Sequence, residues 1–283
     1  MPVEEHLRAA ARARFAQLAQ GADADLALDE AAAWLAAEDQ PGTEAALTLA
    51  ALDELAAGLS VPPQADVFQQ MARLVHHLFS HHGLTGDEED YGNPHNSYLD
   101  RVLERRRGLP ILLSVVVMEV GRRVGVDIDG IGFPGHFLVR PRKAEPPFFL
   151  DPFHGGRIVR LDELQVRLQG MGGGTVGAAQ AGAWLAPVSA RQILLRMNHN
   201  LKNSFLERRD LHGVLRAVER LLLLDPGQWA ERRDRALILG QLGRRRAAIT
   251  ELNAYLEAFP LGPEADRLRE HLARLQEDHE NEG

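Results

Sequence analysis

Apolar residues near the start of the chain recur at intervals of three and four. Leu7, Ala11 and Phe15 follow this spacing, which places them on one face of an amphipathic helix. Helices with the same spacing are predicted over residues 29–37, 43–59 and 66–82. Asp66 is a typical N-cap for the last of them. Residues 1–82 are therefore predicted to form a helical region that packs on the rest of the protein.

The pattern changes in the middle of the chain. After a helix predicted over residues 93–107, Gly108 and Pro110 interrupt the chain, and residues 111–124 are apolar nearly all round. An apolar surface on all sides is typical of a buried helix. Two-residue alternation then predicts strands over residues 126–133, 136–140, 148–151 and 157–159. We expect an antiparallel sheet packed on the buried helix, in an α+β core domain over residues 83–169.

A glycine-rich run separates this core from the helical tail. Residues 170–190 are predicted to form a linker, and residues 191–283 return to a helical pattern. A phosphate-binding loop requires a Lys-Ser or Lys-Thr pair after its glycines, and none follows here. The run is therefore interpreted as a connection between domains.

The tail carries an internal repeat. Helix ends at Pro226 and Pro260 are separated by about 34 residues, which is the period of tetratricopeptide units. The second unit has an aromatic start, a turn glycine and a small packing residue at Trp229, Gly243 and Ala248. The first unit is degenerate, with Arg209 and Val214 where glycine and alanine are expected. The tail resembles tetratricopeptide repeats, which implies a docking surface or a buttress for the core.

The amino-acid composition excludes several kinds of functional site. The chain has 283 residues and no cysteine, which excludes disulfides, thiolate metal ligands and thiol nucleophiles. Its formal net charge is -8, with 40 acidic and 32 basic residues, so no overall positive field attracts nucleic acid. The basic clusters at residues 105–107, 122–123 and 244–246 are interpreted as helix ends or solvated faces.

Targeting and membrane signals are missing from the pattern. The sequence shows neither a secretion signal nor an apolar run of bilayer length. We expect a cytoplasmic protein with no cofactor, no nucleic-acid partner and no membrane contact.

Three motifs of the core occur in a characteristic order. Residues 107–110 (Arg-Gly-Leu-Pro) precede the buried helix, residues 134–137 (Pro-Gly-His-Phe) lead a strand, and residues 151–153 (Asp-Pro-Phe) close the next strand. This order resembles the Cys, His, Asp core of the transglutaminase-like and papain-like superfamily. With the segments at 96–103 and 155–156, it resembles more closely the SirB-like bacterial proteins, which join such a core to C-terminal tetratricopeptide repeats.

The resemblance implies roles for individual residues. In that superfamily a histidine deprotonates a cysteine at a helix N-terminus, and an aspartate orients the histidine. His136 and Asp151 match the histidine and the aspartate, whereas Pro110 occupies the cysteine position. Ser114 lies one turn further along the helix and is the substitute nucleophile to consider, although a serine in a buried helix more often bonds to a backbone carbonyl. The resemblance implies that the SirB-like proteins in general have lost this cysteine. It implies no established substrate.

Other polar residues are candidates for the same cleft. Tyr91, Asn93 and Asn96 precede the core motifs and are predicted, with His154, to form a binding surface beside His136. Asn96 is alternatively the N-cap of the helix that follows it.

Two further clusters are interpreted as solvated surface. Within the run of residues 76–82, His77 and His81 have the i, i+4 spacing of zinc ligands, but no third ligand is evident. Residues 87–90 are all acidic and lack the alternating pattern of a calcium loop. We therefore expect no metal site in either segment.

Three functional hypotheses follow. The leading one is a non-catalytic protein that binds a protein or peptide through the helical tail or the core cleft, as a scaffold or regulatory module. In that case the His136–Asp151 pair is a retained hydrogen bond that ties two strands together. The second is a residual hydrolase or acyltransferase in which His136 activates water or a substrate hydroxyl. The third is a metal-dependent variant that recruits His136, Asp151 and His154.

Overall fold

The computed structural model describes residues 3–62, 64–171 and 182–280. The chain divides into two compact units, Met1–Met197 and Asn198–Gly283. About half of the predicted glycine-rich linker, residues 172–181, lies outside the described residues. Near the end of the predicted linker, Pro187–Val188 forms a strand that belongs to the sheet of the first unit.

The first unit begins with helices. These are α1 (Val3–Gln20), α2 (Leu28–Asp39), α3 (Ala45–Ala57), α4 (Val67–Val75), α5 (Leu99–Arg105) and α6 (Pro110–Arg123). The carboxylate of Asp66 accepts a hydrogen bond of 2.8 Å from the Gln69 N–H, so the predicted N-cap of α4 is confirmed. The helix predicted over residues 66–82 is present without a break, but it is an α-helix only to Val75 and a π-helix over His76–His81.

An antiparallel sheet follows α6, as the alternating pattern predicted. Its five strands lie in the order β6-β5-β4-β3-β7. The strands are β3 (Ile128–Ile131), β4 (Leu138–Pro141), β5 (Phe149–Asp151), β6 (Arg157–Val159) and β7 (Pro187–Val188). Two shorter strands, β1 (Thr85–Gly86) and β2 (Arg107–Gly108), pair in parallel outside this sheet. Helix α7 (Leu161–Met171) follows β6.

Helix α6 is the central element of the first unit. Every residue from Pro110 to Val117 is buried, as expected for a helix that is apolar on all sides. The helix contacts α3, β3, β4 and the 3-10 turn Pro152–His154. A Cβ atom at Gly121 would lie 2.6 Å from Cδ1 of Ile128, so glycine allows α6 to approach β3 closely. This packing holds the turn that follows β5 against α6.

The basic pair at the end of α6 is more than a solvated helix end, which corrects the expectation from the sequence. The guanidinium groups of Arg122 and Arg123 donate hydrogen bonds of 2.9 and 2.7 Å to Oδ2 of Asp29 in α2. Both arginines also bond to Glu119. Burial would raise the pKa of Asp29, but the two arginines outweigh it and lower that pKa. The pair therefore ties α2 to α6.

The remaining helices are α8 (Ala190–Glu207), α9 (Leu211–Leu224), α10 (Trp229–Gln241), α11 (Arg245–Ala258) and α12 (Pro263–Glu280). Trp229 opens α10, as predicted from the repeat. Gly243 and Arg209 occupy equivalent turns and both adopt positive φ, of 73° and 57°. At the equivalent packing positions, Ala248 and Val214 are both fully buried. No helix among the described residues combines the length and apolar character needed to cross a membrane.

Candidate functional site

Asp151 is the centre of the site that the core motifs form. It ends β5, is fully buried, and has both carboxylate oxygens occupied. Oδ1 lies 2.8 Å from Nε2 of His136 and accepts a 3.3 Å hydrogen bond from the backbone N–H of His154. Oδ2 accepts a 2.8 Å hydrogen bond from Nδ1 of His154. One buried carboxylate therefore holds two imidazoles.

His136 reaches Asp151 from a turn rather than from a strand. The expectation that it lies in a strand starting at residue 136 was wrong, because β4 begins at Leu138. The His136 N–H donates to the Phe133 carbonyl at 3.0 Å, and Gly135 between them has a φ of 67°. Arg196 fixes the same turn by donating to the carbonyls of His136 at 2.8 Å and Phe133 at 3.3 Å.

The contact between His136 and Asp151 is close but not linear. Nε2 of His136 is buried, and the Asp151 oxygen at 2.8 Å lies away from the direction in which that ring nitrogen would donate. The side chain of His136 remains 14 % exposed. The pair is thus an electrostatic contact between a buried nitrogen of the imidazole and a carboxylate, in a side chain that keeps some contact with solvent.

The environment of Asp151 stabilises its ionised form. Burial on its own would raise the pKa of Asp151, because a carboxylate loses hydration there. The close approach of His136 and the hydrogen bonds from His154 outweigh burial and lower the pKa from 3.8 to about 2. Asp151 is therefore a carboxylate throughout the physiological pH range and can orient both imidazoles.

The start of α6 offers no nucleophile to His136. Pro110 is the first residue of the helix and is buried. The hydroxyl of Ser114 is fully buried and donates a 2.8 Å hydrogen bond to the Pro110 carbonyl. This confirms the expected backbone bonding of Ser114, which commits the hydroxyl proton within the helix.

Tyr91 borders the site through an aromatic contact. Its ring lies 5.8 Å from the ring of Phe153, which in turn makes edge contacts with His136 at 6.2 Å and His154 at 5.2 Å. The residue Tyr91 is 51 % exposed and the His154 side chain is 45 % exposed. These two residues form an accessible rim around Phe153, beside His136.

Asn93 and Asn96 are engaged in local structure. Asn93 caps the 3-10 turn Pro94–Ser97, accepting a 2.9 Å hydrogen bond from the His95 N–H. Asn96 is fully buried, donates to the Asp90 carbonyl at 2.8 Å and accepts from Arg105 at 2.8 Å. The alternative that Asn96 caps α5 was wrong, since Tyr98 is the N-cap. Their cleft-lining role stays a prediction.

The acidic segment 87–90 is only partly solvated, contrary to expectation. Asp87 is 2 % exposed and accepts a 3.0 Å hydrogen bond from Arg105, and it also accepts one of 3.2 Å from the Asp90 N–H. Burial would raise the pKa of Asp87, but these bonds and the Arg105 charge lower it. Asp87 therefore orders the segment that carries Tyr91.

Arg196 is the site residue that sequence reasoning missed. Its guanidinium carbon lies 5.5 Å from the centre of the Phe137 ring while its nitrogens bind the turn that carries His136. Burial lowers its pKa, and the nearby Tyr91 acts in the opposite direction. The sequence holds no motif for this role, because Arg196 lies 60 residues from the carbonyl it binds.

Two groups of side chains could hold a metal ion among the described residues. One is His136, Asp151 and His154, and the other is His77, His81 and His82. In each group, one ligand atom per residue lies within 4.8 Å of the others. The structure thus brings His82 to the pair for which the sequence showed no third ligand. The expectation of solvated imidazoles was wrong for His77, which is 8 % exposed.

Comparison with known proteins matches both parts of the chain. Residues 46–199 match the family model for the transglutaminase-like superfamily, and residues 201–273 match a tetratricopeptide repeat model. These matches confirm the predicted order of a transglutaminase-like core followed by tetratricopeptide repeats.

Similar curated proteins come from several bacteria. The chain is 39 % identical over 210 residues to a UPF0162 protein of Xylella fastidiosa, covering 74 % of this chain and 75 % of that one. It is 31 % identical to a UPF0162 protein of Vibrio cholerae, over 75 % of this chain and 76 % of the relative. Protein SirB1 of Salmonella typhimurium is 26 % identical, over 71 % and 74 %. No solved structure matches the chain.

Proposed function

The chain belongs to the transglutaminase-like superfamily, and we propose that it recognises a protein or peptide at the His136–Asp151 site without thiol chemistry. The observation that carries the proposal is an intact His136–Asp151 pair in a chain with no cysteine. Pro110 starts the helix at which the superfamily's cysteine would lie, and the Ser114 hydroxyl is committed to the helix backbone. Neither Pro110 nor Ser114 therefore offers His136 a nucleophile, which favours recognition over catalysis.

The chemistry of the rim supports a peptide ligand. His136 Nε2 and His154 Nδ1 each lie 2.8 Å from an oxygen of Asp151, and each side chain retains some exposure. The other nitrogen of His154, Nε2, lies 3.9 Å from the exposed Glu88 carboxylate. Nδ1 of His136 is the imidazole nitrogen left for a hydrogen-bonding group of a ligand. The exposed ring of Tyr91 provides an apolar surface beside them. A peptide side chain with a polar end and an apolar stem fits this combination.

The repeat region supports a protein partner. Tetratricopeptide repeats stack helix pairs and form extended surfaces on which other proteins dock. In this chain the matched repeats occupy residues 201–273. We infer a scaffold or regulatory role in which the repeats contribute most of the affinity for a protein partner. The core domain then binds one peptide segment of that partner.

A peptide-binding experiment tests this proposal. The full chain is screened against a positional-scanning peptide library, and the affinity of the selected peptide is measured by fluorescence anisotropy. We expect binding to weaken at least about tenfold in His136→Ala, because a direct polar contact is worth about 1.5 kcal/mol. The exposed His6 supplies the matched control, and His6→Ala should bind as the wild type does. Equal affinity in His136→Ala would contradict the proposal.

A residual hydrolase or acyltransferase is the second candidate. It is favoured by the 2.8 Å approach of His136 to an aspartate that stays ionised, which is how a general base is oriented. In this case His136 would activate water or a substrate hydroxyl directly. This candidate predicts pH-dependent turnover that is lost in both His136→Ala and Asp151→Asn, whereas the binding proposal predicts no turnover.

A further inference from the structure

The histidine run that follows α4 forms a cluster that shares no residue with the His136 site. The backbone N–H of His82 donates to the His77 carbonyl at 3.0 Å, which is the i→i+5 bond of a π-helix. In an α-helix, residues three and four positions apart share a face. The wider turn of a π-helix brings residues four and five positions apart next to the first. His81 and His82 therefore both lie beside His77.

The three rings are close enough to share one ion. The ring of His82 lies 4.5 Å from that of His77 and 4.7 Å from that of His81, measured between centroids. One nitrogen of each ring lies within 4.8 Å of the others. Zinc–nitrogen bonds of about 2.1 Å imply nitrogens about 3.4 Å apart in a tetrahedral site. His81 is exposed and can make this adjustment by changing its side-chain rotamer.

His77 is oriented as a metal ligand would be. One of its ring nitrogens, Nε2, lies 2.8 Å from the backbone carbonyl of Leu55 in α3. A carbonyl oxygen only accepts, so Nε2 carries the proton and Nδ1 keeps the lone pair that a metal ion takes. Metal-binding histidines commonly donate their other N–H to a backbone carbonyl or carboxylate in this way. The hydrogen bond to Leu55 fixes the tautomer of His77, and burial of the side chain, which is 8 % exposed, restricts its position before any ion binds.

One member of the cluster, His82, lines a cleft of about 500 Å³. His82 lines this cleft together with four carboxylate residues and two arginines, namely Glu44, Glu54, Asp100, Glu104, Arg101 and Arg106. The acidic residues outnumber the basic ones, which favours a cation in the cleft as a whole. The charged side chain that acts on His82 itself is Arg106. Burial together with this charge lowers the pKa of His82 and so favours the neutral imidazole that a metal ion requires. The opening also leaves room for water to complete the coordination.

We propose that His77, His81 and His82 bind one zinc-class divalent ion, with water at the open position on the cleft side. Three imidazole nitrogens suit zinc, nickel or copper, whereas calcium and magnesium require oxygen ligands. The ion would join the π-helix to α3 through the His77–Leu55 hydrogen bond. Three protein ligands with one open position are typical of zinc sites that bind or activate a small molecule.

Calorimetric titration of the chelator-treated full chain with zinc chloride tests this proposal. We expect one zinc ion per chain. In His81→Ala and His82→Gln the affinity should fall more than about 100-fold, since loss of an outer hydrogen-bond partner alone costs up to about that much. The exposed His76 lies outside the cluster, and His76→Ala is the matched control that should bind zinc normally. His154→Ala tests the other candidate group and should also bind normally.

Several results would overturn the proposal. They are absence of zinc binding by the wild type, unchanged affinity in His81→Ala and His82→Gln, or loss of binding in His154→Ala. Since His81 is exposed, His81→Ala should not disturb folding, and its circular dichroism spectrum checks this. Cobalt provides a second measurement, because tetrahedral nitrogen coordination gives it strong visible absorption. That absorption should appear in the wild type and in His76→Ala and be lost in His81→Ala.

Discussion

Replacing Asp151 by asparagine removes the charge at the centre of the site while keeping its size. Asparagine can occupy the same space but cannot form an ion pair with His136 or His154, both of which contact the carboxylate at 2.8 Å. The substitution should therefore destabilise the first unit at neutral and mildly acidic pH. At strongly acidic pH, where Asp151 is itself protonated, the wild type and the variant should become similar in stability.

The size of this effect follows from the pKa of Asp151. Its pKa is 3.8 in an unfolded chain and about 2 in the folded protein. A pKa lowered on folding stabilises the protein above the unfolded value, and this contribution is lost as the pH falls through the folded value. At about 1.36 kcal/mol for each pKa unit, the difference corresponds to about 2 kcal/mol. The wild type should lose this amount relative to Asp151→Asn between about pH 5 and pH 2.

Urea unfolding followed by tryptophan fluorescence measures this difference. A Trp229→Phe background leaves Trp34 and Trp184 to report on the first unit. The free energy of unfolding is compared with and without the Asp151→Asn substitution in this background, at about pH 5 and about pH 2. As a matched control, Asp127→Asn alters a carboxylate with a side chain 53 % exposed and should change stability by less than about 0.5 kcal/mol. A stability gap that is the same at both pH values would refute the reasoning.

Four further substitutions test the packing of the chain. Arg209→Gly should stabilise the second unit by about 1 kcal/mol in thermal unfolding, because Arg209 has a φ of 57° that glycine adopts freely; destabilisation would contradict this. Gly155→Ala and Gly156→Ala both place alanine at positive φ, of 70° and 72°. Only at Gly156 would the new Cβ also lie 2.9 Å from a Val75 carbon. Gly156→Ala should therefore lower the free energy of unfolding in urea by more than Gly155→Ala does. Ser114→Ala should change the free energy of unfolding by less than about 1.5 kcal/mol and leave peptide affinity unchanged, because its hydroxyl bonds only within α6.

The sequence predicted the elements whose signal is local. Helix α6 is apolar on every side, and a helix of that kind has to be buried. The antiparallel sheet was predicted from two-residue alternation, and the turn at Gly243 from its glycine and from the repeat period. These features depend on residues that are close in sequence, so they can be predicted before the fold is known.

Features that depend on distant contacts were not predicted. The strand after Pro134 begins two residues later than expected, because Gly135 and the bonds from Arg196 hold His136 in a turn. Likewise, the change from α4 to a π-helix has no residue signature, and it decides that His82 joins His77. For the His136 turn, the contacts that fix the local geometry come from Arg196, 60 residues away along the chain.

Mass spectrometry of a peptide incubated with the full chain tests the central claim most directly. The peptide is the one selected in the binding screen, and its mass and the mass of the protein are followed over time at several pH values. Recognition without reaction predicts that both masses stay unchanged while the peptide remains bound in a His136-dependent way. Cleavage or modification of the peptide that His136→Ala abolishes, or an adduct on the protein, would contradict the account.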